Sequence, residues 1–236
     1  MINRLSIIIP VFNEMNTIED VLQKVSNVKL SPMIEKEMIV VNDGSTDETE
    51  SRIRDFMRKN QHDIHLISHK RNKGKGASIR SAIEQVTGDY VIIQDGDLEY
   101  DPEEYNILLK PVLDGHADVV YGSRFLGGNA HRILFFWHSI GNKFLTFLSN
   151  MFTNLNLTDM ETCYKLIKTS VLKEIRLVEN RFGFEPEITA KISRMPDIRI
   201  YEVGISYYGR EFKEGKKINW KDGVKAIFCI IKYNLF

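Results

Sequence analysis

Short apolar runs alternate along the first half of the chain with segments whose apolar residues recur every three or four positions. The runs are typical of buried strands, and the three- and four-residue steps are typical of helices that pack on a core. Strands are predicted at residues 5–9, 38–41, 64–67, 90–93 and 118–121. Helices are predicted between them, around residues 18–28, 53–57, 79–86 and 102–113.

Helices of this length between strands predict crossover connections, and therefore an α/β fold with a mostly parallel sheet and helices on both faces. In such sheets ligands bind at the carboxyl ends of the strands. The segments that follow the predicted strands are residues 10–14, 42–47, 68–76, 94–100 and 122–128. Most of them are polar, charged or rich in glycine, so we expect a ligand site at this edge of the sheet.

The pattern changes after Gly128. Residues 133–152 are helical in pattern and rich in aromatic side chains, and residues 220–236 predict a terminal amphipathic helix. Residues 159–167, 198–208 and 215–223 show no clear period and are predicted as mixed, loop-like segments. No repeat or low-complexity linker divides the sequence, so we expect one domain with a C-terminal extension.

Composition narrows the class of protein. The chain has 32 Lys and Arg against 32 Asp and Glu, and this balance argues against a general nucleic-acid binder. Two cysteines, Cys163 and Cys229, cannot form a disulfide framework and indicate buried thiols in a reducing compartment. The sequence shows neither a signal-peptide pattern nor an uninterrupted apolar span of about 18 residues, so we expect a cytoplasmic protein.

The densest acidic segment directly follows the fourth predicted strand. Residues 89–104 contain seven acids and no base, with Asp95, Asp97 and Glu99 at alternate positions. Carboxylates crowded at the end of a buried strand repel one another unless a cation binds there, and their oxygens suit Mg²⁺ or Mn²⁺. A solvated turn that caps the next helix is the alternative, because Asp101 precedes a proline, as at a helix start.

Two other segments carry candidate binding groups for a nucleotide. Residues 69–80 contain five bases and no acid, and Lys75 and Gly76 stand where a helix begins. Backbone N–H groups and positive charge at a helix start favour a diphosphate, although the spacing is not that of a Walker loop and a solvated basic turn is the alternative. After the second strand, Asp43 could accept hydrogen bonds from a base or ribose, and Ser45 is predicted to cap the following helix.

Together these segments resemble glycosyltransferase family 2. The resemblance rests on four motifs in chain order: LSIIIPVFNE at 5–14, VVNDGSTD at 40–47, RNKGKG at 71–76 and QDGD at 94–97. More loosely, the second half is similar to the dolichol-phosphate mannosyltransferase group and its bacterial polyprenyl-phosphate relatives, at residues 121–125, 132, 159–164, 207–210 and 215–217. The resemblance implies the GT-A fold, a Rossmann-like sheet that binds a nucleotide-diphospho-sugar.

The same resemblance divides the chain into functional parts. Residues 1–210 would be the catalytic domain, with a nucleotide-sugar half at 1–125 and an acceptor half at 126–210. Residues 211–236 would be a basic amphipathic extension. From residue 210 to residue 232 there are seven bases against three acids, so the zero net charge is a sum over segregated patches.

The implied reaction is transfer of a hexose, with inversion, from a GDP- or UDP-linked sugar of the GDP-mannose or UDP-glucose type. The resemblance assigns Asp97 and Glu99 to the metal, which would neutralise the diphosphate leaving group. It assigns the nucleotide sugar to Pro10, Phe12, Asn13, Glu14, Asp43, Lys75, Gly76, Asp95 and Gly96. Neither the base nor the sugar follows from the sequence.

The implied acceptor is a polyprenyl or dolichyl phosphate. A phosphate monoester is mostly ionised near neutral pH, because its second pKa is about 6, so it needs positive charge more than a general base. The candidates for holding it are Ser123, Arg124, Arg132, Arg210 and Lys217, and the three arginines, together with Asp97, are also the candidate catalytic residues. A hydroxyl of a polysaccharide or glycolipid is the alternative acceptor, and it would need a carboxylate base, for which Asp159 is the candidate.

A lipid acceptor would bring the protein to the inner face of the cell membrane. Aromatic residues in the segment 133–148, and those of 220–231 with their accompanying lysines, suit helices that lie among lipid headgroups. A core or dimer face is the alternative, and a homodimer or a separate membrane partner would fit the same pattern. A nucleotidyltransferase or a non-catalytic nucleotide-binding module is the remaining hypothesis for the whole chain.

Overall fold

The computed structural model describes residues 2–30, 34–60, 63–127, 132, 136–209 and 220–235, without the side chains of residues 220 and 221. Its strands are β1 (Arg4–Val11), β2 (Glu35–Asn42), β3 (Ile64–Ser68), β4 (Tyr90–Ile93), β5 (Val119–Ser123), β6 (Lys165–Lys168) and β7 (Ile200–Gly204). Its helices are α1 (Ile18–Asn27), α2 (Thr49–Lys59), α3 (Lys75–Ile83), α4 (Tyr105–Leu113), α5 (Phe136–Thr153), α6 (Thr169–Glu174), α7 (Phe184–Ile192) and α8 (Trp220–Leu235). A short 3-10 helix, Pro102–Glu104, precedes α4.

The described strands form one seven-stranded sheet in the order β3-β2-β1-β4-β6-β5-β7. Every neighbouring pair is parallel except those of β6, which runs antiparallel to both β4 and β5. Ile7 of β1 lies opposite Met38 of β2 on one side and Ile92 of β4 on the other. Consecutive branched residues suit these central strands because helices cover both faces of the sheet.

The core follows directly from this layering. Ile7, Ile8 and Ile9 are fully buried although they alternate between the two faces of the sheet. On α1, residues at three- and four-residue steps, including Ile18 and Leu22, are buried in the same core cluster. The predicted α/β fold is therefore confirmed, with β1 to β5 and α1 to α4 at the predicted places.

Two segments predicted as mixed and loop-like are corrected, because β6 begins within residues 159–167 and β7 lies within residues 198–208. Strand β6 is four residues long and carries a fully buried lysine, Lys165, so it shows no apolar run. Strand β7 lies at the sheet edge and is mostly half-buried, which weakens its pattern. The capping role predicted for Ser45 is also wrong, because α2 begins at Thr49 with Glu48 as its N-cap residue.

The terminal helix α8 packs on α5 and α7. Cys229 and Ile230 of α8 are fully buried, so this part of the predicted extension shares the core of the sheet domain. Residues 210–219 lie outside the described residues, and the predicted boundary at residue 210 stays a prediction. No helix in the described part of the chain combines the length and the apolar composition that a membrane crossing requires.

Candidate active site

Loops from both halves of the chain meet at one edge of the sheet. Strands β1, β2, β4 and β5 run in the same direction, so the loops at their carboxyl ends lie at a common edge. Because β6 runs the opposite way, the turn that precedes it, residues 159–164, lies at that edge as well. The antiparallel strand therefore brings the second half of the sequence to the loops of the first half.

The loop after β1 is fixed to the loop after β2. Asn13 adopts a left-handed backbone conformation, with φ 52°, and its N–H donates to Ser45 Oγ over 3.0 Å. Asn13 Oδ1 accepts from the Thr46 N–H at 2.8 Å. Of the residues predicted to contact the nucleotide sugar here, Pro10, Phe12 and Glu14 are partly exposed and Asn13 is exposed. All four line this edge, and their contact with a nucleotide stays a prediction.

Asp43 lies beneath the basic loop and is only 3% exposed. Its carboxylate accepts hydrogen bonds from the backbone N–H groups of Lys73 and Gly74, the second at 2.6 Å, and pairs with His69 Nδ1 at 2.7 Å. Gly74 has φ 101°, a conformation that favours glycine. The observed role of Asp43 is thus to hold the basic loop in place, and its predicted contact with a base or ribose remains untested.

Replacing Asp43 by asparagine is expected to lower the free energy of unfolding by about 2 kcal/mol or more, since hydrogen bonds to a buried charge are lost and an amide N–H₂ would face backbone donors. Urea denaturation measures this loss. Asp55→Asn is the control, because Asp55 is exposed on α2 and its ion pair with Arg58 lies at the surface; we expect a change below about 0.5 kcal/mol there. Equal effects of the two substitutions would contradict the role given to Asp43.

Lys75 and Asp95 form an ion pair, with Nζ 2.8 Å from Asp95 Oδ1. The same Nζ lies 3.5 Å from Glu185 of α7, whose other oxygen pairs with the buried Lys165. Burial alone would lower the pKa of Lys75, but the carboxylates of Asp95 and Glu185 hold it well above its usual value. Two residues predicted to bind the donor are therefore joined in one network of four charges, of which Lys165 and Glu185 are buried and Lys75 and Asp95 partly exposed.

Gly76 and Gly96 have no room for a side chain. A Cβ at Gly76 would lie 2.3 Å from the carbonyl oxygen of Glu179, and one at Gly96 would lie 2.5 Å from Val11 Cγ1. The carbonyl of Gly96 also accepts a hydrogen bond from Thr17 Oγ1 at 2.9 Å. These glycines are thus required by packing around the predicted diphosphate site, and their contact with the donor stays a prediction.

Asp97 and Glu99 lie together in the turn after β4. The Glu99 N–H donates to Asp97 Oδ1 over 3.2 Å, and Glu99 Oε2 accepts from the hydroxyl of Tyr207 at 2.6 Å. Both carboxylates are partly exposed, and hard oxygen ligands of this kind fit Mg²⁺ or Mn²⁺. Lys75 pairs with Asp95, and the assignment of a cation to Asp97 and Glu99 stays a prediction.

Another group of potential metal ligands lies elsewhere. Ligand atoms of Glu37, Asp63 and His65 come within 4.8 Å of one another. They stand near the amino ends of β2 and β3, at the edge opposite Asp97. Glu37 is buried and accepts hydrogen bonds from the N–H groups of Thr87 and Gly88, so its carboxylate already has structural partners.

Arg124 and Asp159 form a two-pronged ion pair. Arg124 Nε and Nη2 lie 2.7 and 2.8 Å from the two oxygens of Asp159, and the Arg124 N–H donates to the same carboxylate. The guanidinium lies 5.2 Å from the centre of the Tyr207 ring. Among the described residues no acceptor binds Arg124 Nη1. The pair therefore holds a cationic group rigidly, with donors left for a ligand.

The general-base role predicted for Asp159 stays a prediction, and the geometry disfavours it. The Asp159 side chain is fully buried and both of its oxygens are bound by Arg124. Its own N–H and that of Thr158 donate to Glu202, which fixes this turn further. The arrangement suits a residue that orients Arg124 rather than one that receives a proton from an acceptor.

The other predicted acceptor residues fall in different places. Ser123 is fully buried, and its hydroxyl accepts from the N–H groups of Phe125 and Leu126 at 3.0 Å. Arg132 is exposed and donates from Nη1 to the carbonyl of Gly209 at 2.9 Å. Arg210 and Lys217 lie outside the described residues.

Three residues that complete the site were not predicted from the sequence. Lys165 and Glu185 form their pair within the core, and Glu161 lies in the turn before β6 without a role in the prediction. The sequence feature that could have pointed to Glu161 is its place in the motif 159–164. Neither the spacing nor the charge pattern of the sequence indicates that Lys165 and Glu185 form a pair. Tyr207 belonged to a quoted motif, but its contacts with Glu99 and Arg124 follow only from the fold.

Comparison with solved structures confirms the GT-A fold that this sheet indicates. Glucosyl-3-phosphoglycerate synthase from Mycobacterium tuberculosis, in complex with Mn²⁺, UDP and glucosyl-3-phosphoglycerate, matches with a TM-score of 0.75 at 18% identity. The match covers 98% of this chain and 80% of that one. The same enzyme with Mn²⁺ and UDP-glucose matches with a TM-score of 0.76 at 18% identity, over 98% and 79% of the two chains. At this identity the likeness shows the fold alone.

The family follows from the sequence comparison. A family model described as Glycosyl transferase family 2 matches residues 6–176, so the chain belongs to glycosyl transferase family 2. Similar proteins include a dodecaprenyl-phosphate galacturonate synthase of Rhizobium johnstonii, 25% identical over 227 residues that make up 96% of this chain and 64% of the relative. An undecaprenyl-phosphate 4-deoxy-4-formamido-L-arabinose transferase of Photorhabdus laumondii is 25% identical over 91% of this chain and 63% of its own length. The chain thus spans less than two thirds of these two relatives.

Proposed function

We propose that this chain transfers a hexose from a nucleotide sugar to a polyprenyl phosphate with inversion. The observation that carries the proposal is the fixed guanidinium of Arg124, which shares Tyr207 with the candidate metal ligand Glu99. The guanidinium proposed to bind the acceptor phosphate thus lies near a carboxylate that suits the cation of the donor diphosphate. The similarity to two enzymes named for polyprenyl-phosphate substrates supports this acceptor.

The chemistry asks the protein chiefly to hold two anions close together. An ionised phosphate monoester is itself a nucleophile near neutral pH, and planar guanidinium groups bind phosphate oxygens through paired hydrogen bonds. Arg124 supplies such a group, and exposed Arg132 is the second candidate. Asp97 and Glu99 would hold Mg²⁺ or Mn²⁺, which supplies charge neutralisation for the diphosphate leaving group. The donor would be of the GDP-mannose or UDP-glucose type.

The alternative acceptor is a hydroxyl of a polysaccharide or glycolipid. A hydroxyl requires a base that can remove its proton in the transition state. Asp159, the candidate from the sequence, is buried and bound to Arg124, and this geometry favours the phosphate acceptor.

A transfer assay tests the proposal. Purified protein with Mn²⁺ or Mg²⁺ is incubated with UDP-glucose or GDP-mannose and either a short polyprenyl phosphate or the matching polyprenol. We expect glycosylation of the phosphate and none of the alcohol. Transfer to the alcohol or to a saccharide hydroxyl would support the alternative, and consumption of a nucleoside triphosphate with a sugar phosphate would indicate a nucleotidyltransferase. Binding without turnover of any donor would indicate a binding module.

An exposed apolar face supports contact with a lipid surface. Helix α5 begins shortly after Arg132, and helix α8 packs beside it. Trp137 is 78% exposed and Phe228 is 64% exposed. The face comprises Phe136, Trp137, Ile140, Phe144, Phe147 and Met151 of α5 and Val224, Phe228 and Leu235 of α8. Lys225 and Lys232 of α8 pair with Glu179, so the exposed apolar side chains carry the argument for a lipid surface.

Replacing Trp137 and Phe147 together by serine is expected to lower partitioning onto anionic phospholipid vesicles about tenfold or more, because each large side chain contributes more than about 1 kcal/mol when it leaves water. Vesicle sedimentation measures the bound fraction. The control is Ile107→Ser with Leu113→Ser on α4, where the apolar side chains are also exposed but lie on another helix. Unchanged partitioning of the α5 variant, or equal loss in the control, would contradict the assignment of the face.

A further inference from the structure

Glu161 has a buried carboxyl oxygen without a partner. The residue is partly exposed, yet its Oε1 is shielded from solvent and makes no hydrogen bond with any described residue. Buried polar groups nearly always have a partner, so such an atom requires an explanation. One explanation is that a bound ligand supplies the missing partner. Glu161 lies in the turn before β6, at the edge of the sheet where the site loops meet.

The surroundings of Glu161 place it between the two halves of the site. In the chain Glu161 stands between Asp159, which pairs with Arg124, and Lys165, which pairs with Glu185. The charges of these two pairs act on its carboxyl group. The first pair adjoins Lys75 and Asp95 on the side proposed for the donor diphosphate. The second pair holds the group proposed for the acceptor phosphate. The proposed function requires the transferred sugar to lie between these two phosphates, and Glu161 stands in the turn that links the two ion pairs.

The charges around Glu161 indicate which kind of ligand group can bind its carboxylate. Phosphate oxygens are anionic and would be repelled by the Glu161 carboxylate. A metal ion would be opposed by Lys165 and Arg124, whose positive charges act at the same place. A neutral hydroxyl can donate to the carboxylate without either penalty.

We infer that the Glu161 carboxyl accepts a hydrogen bond from a hydroxyl of the transferred sugar and thereby contributes to recognition of the nucleotide sugar. The inference rests on the proposed function, because it assumes a nucleotide-sugar donor at this edge. Glu161 is then a specificity-determining residue, since a site built around a substrate hydroxyl discriminates strongly against ligands that lack it.

Protonation of Glu161 gives the inference a distinct signature. Burial, followed by repulsion from Glu185, raises the pKa of the Glu161 carboxyl to about 7. A hydroxyl that donates to the carboxylate favours its charged form and lowers this pKa. Binding of the sugar should therefore release a proton near pH 7, whereas binding of the nucleoside diphosphate alone should not release it from Glu161.

Calorimetric titration of the wild type and of Glu161→Gln tests the inference. With Mn²⁺ present, UDP, GDP, UDP-glucose and GDP-mannose are the probes. We expect Glu161→Gln to bind the preferred nucleoside diphosphate as the wild type does and the matching nucleotide sugar about tenfold or more weakly. Titrations in PIPES and in imidazole at pH 6.5 should show an extra proton released by the nucleotide sugar in the wild type and not in the variant. Glu174→Gln, at an exposed site in α6, is the matched control and should behave as the wild type.

Stability separates this role from a folding defect. Because the pKa of Glu161 is raised in the folded protein, its ionisation destabilises the fold progressively as the pH rises from about 4.5 to about 7. Glu161→Gln removes this cost, so relative to the wild type it should be more stable at pH 8 than at pH 5. Weaker sugar binding by a variant with this thermal profile cannot be attributed to unfolding.

Three results would overturn the inference. The first is equal affinity of Glu161→Gln and the wild type for the nucleotide sugar, without the difference in proton release. The second is equal weakening for the nucleoside diphosphate and the nucleotide sugar, which would place Glu161 at the phosphates. The third is unchanged affinity with a loss of turnover, which would make Glu161 a base. A wild type that neither binds nor transfers any sugar would instead refute the proposed function, so the two failures are distinguishable.

Discussion

Replacing Asp97 by asparagine is expected to lower the rate of sugar transfer about a thousand-fold, because the substitution removes a charged ligand for the cation that neutralises the leaving diphosphate. Asparagine keeps an oxygen where Asp97 Oδ1 accepts the N–H of Glu99, so the turn should stay folded. The rate is measured with polyprenyl phosphate, and a chelator such as EDTA should abolish wild-type transfer until Mn²⁺ or Mg²⁺ is restored.

The control for this prediction lies in the same acidic segment. Asp101 accepts a hydrogen bond from the N–H of Glu103 and caps the 3-10 helix Pro102–Glu104. Asparagine caps as well as aspartate does, so Asp101→Asn should transfer sugar at nearly the wild-type rate. An Asp97→Asn enzyme with full activity, or one as active as Asp101→Asn, would remove Asp97 from the metal site.

The donor half of the fold could be predicted because its signals are local. Strands β1, β2 and β4 are covered on both faces, so burial demands consecutive apolar residues such as those from Ile7 to Ile9, and the sequence displays them directly. The acidic turn comes straight after β4 in the sequence, so its position at the end of the strand could be predicted. For these strands one continuous segment contains both the element and the reason for it, although a local pattern also misplaced the helix cap at Ser45.

Strand β6 and the buried ion pair of the acceptor half escaped prediction because they depend on contacts between residues that are distant in the sequence. Lys165 would ordinarily exclude a buried strand, and its burial is tolerable because Glu185, brought alongside by α7, and the carbonyl of Thr162 bind its Nζ. Strand β6 enters the sheet antiparallel, so the site residues precede it instead of following it. A rule that searches the residues after each strand therefore finds Asp97 and overlooks Glu161.

The ion pair of Arg124 and Asp159 also could not be predicted from local sequence. The sequence marked both residues as candidates and gave Asp159 the role of a base for a hydroxyl acceptor, because nothing local shows that a guanidinium binds its two oxygens. Once paired, the two side chains act as one unit, with Asp159 fixing the orientation and Arg124 offering its charge. A test of either residue alone therefore confounds folding with chemistry.

Replacing Arg124 by methionine is expected to abolish transfer, with a loss of about a thousand-fold or more, and to destabilise the protein by about 3–5 kcal/mol. The loss of stability arises because Asp159 would keep a fully buried carboxylate without its partner. The free energy of unfolding in urea and kcat/KM for the polyprenyl phosphate measure the two effects separately.

The double variant, Arg124→Met with Asp159→Asn, then separates the loss of stability from the loss of acceptor binding. The amide that replaces the Asp159 carboxylate is neutral and can still accept the N–H of residue 124, as the carboxylate does at 3.0 Å, so most of the lost stability should return. Transfer should not return, because no guanidinium remains to hold the acceptor phosphate, while affinity for the nucleotide sugar should stay near that of the wild type. If activity recovered together with stability, Arg124 would serve only to balance Asp159, and the acceptor phosphate would have to bind elsewhere.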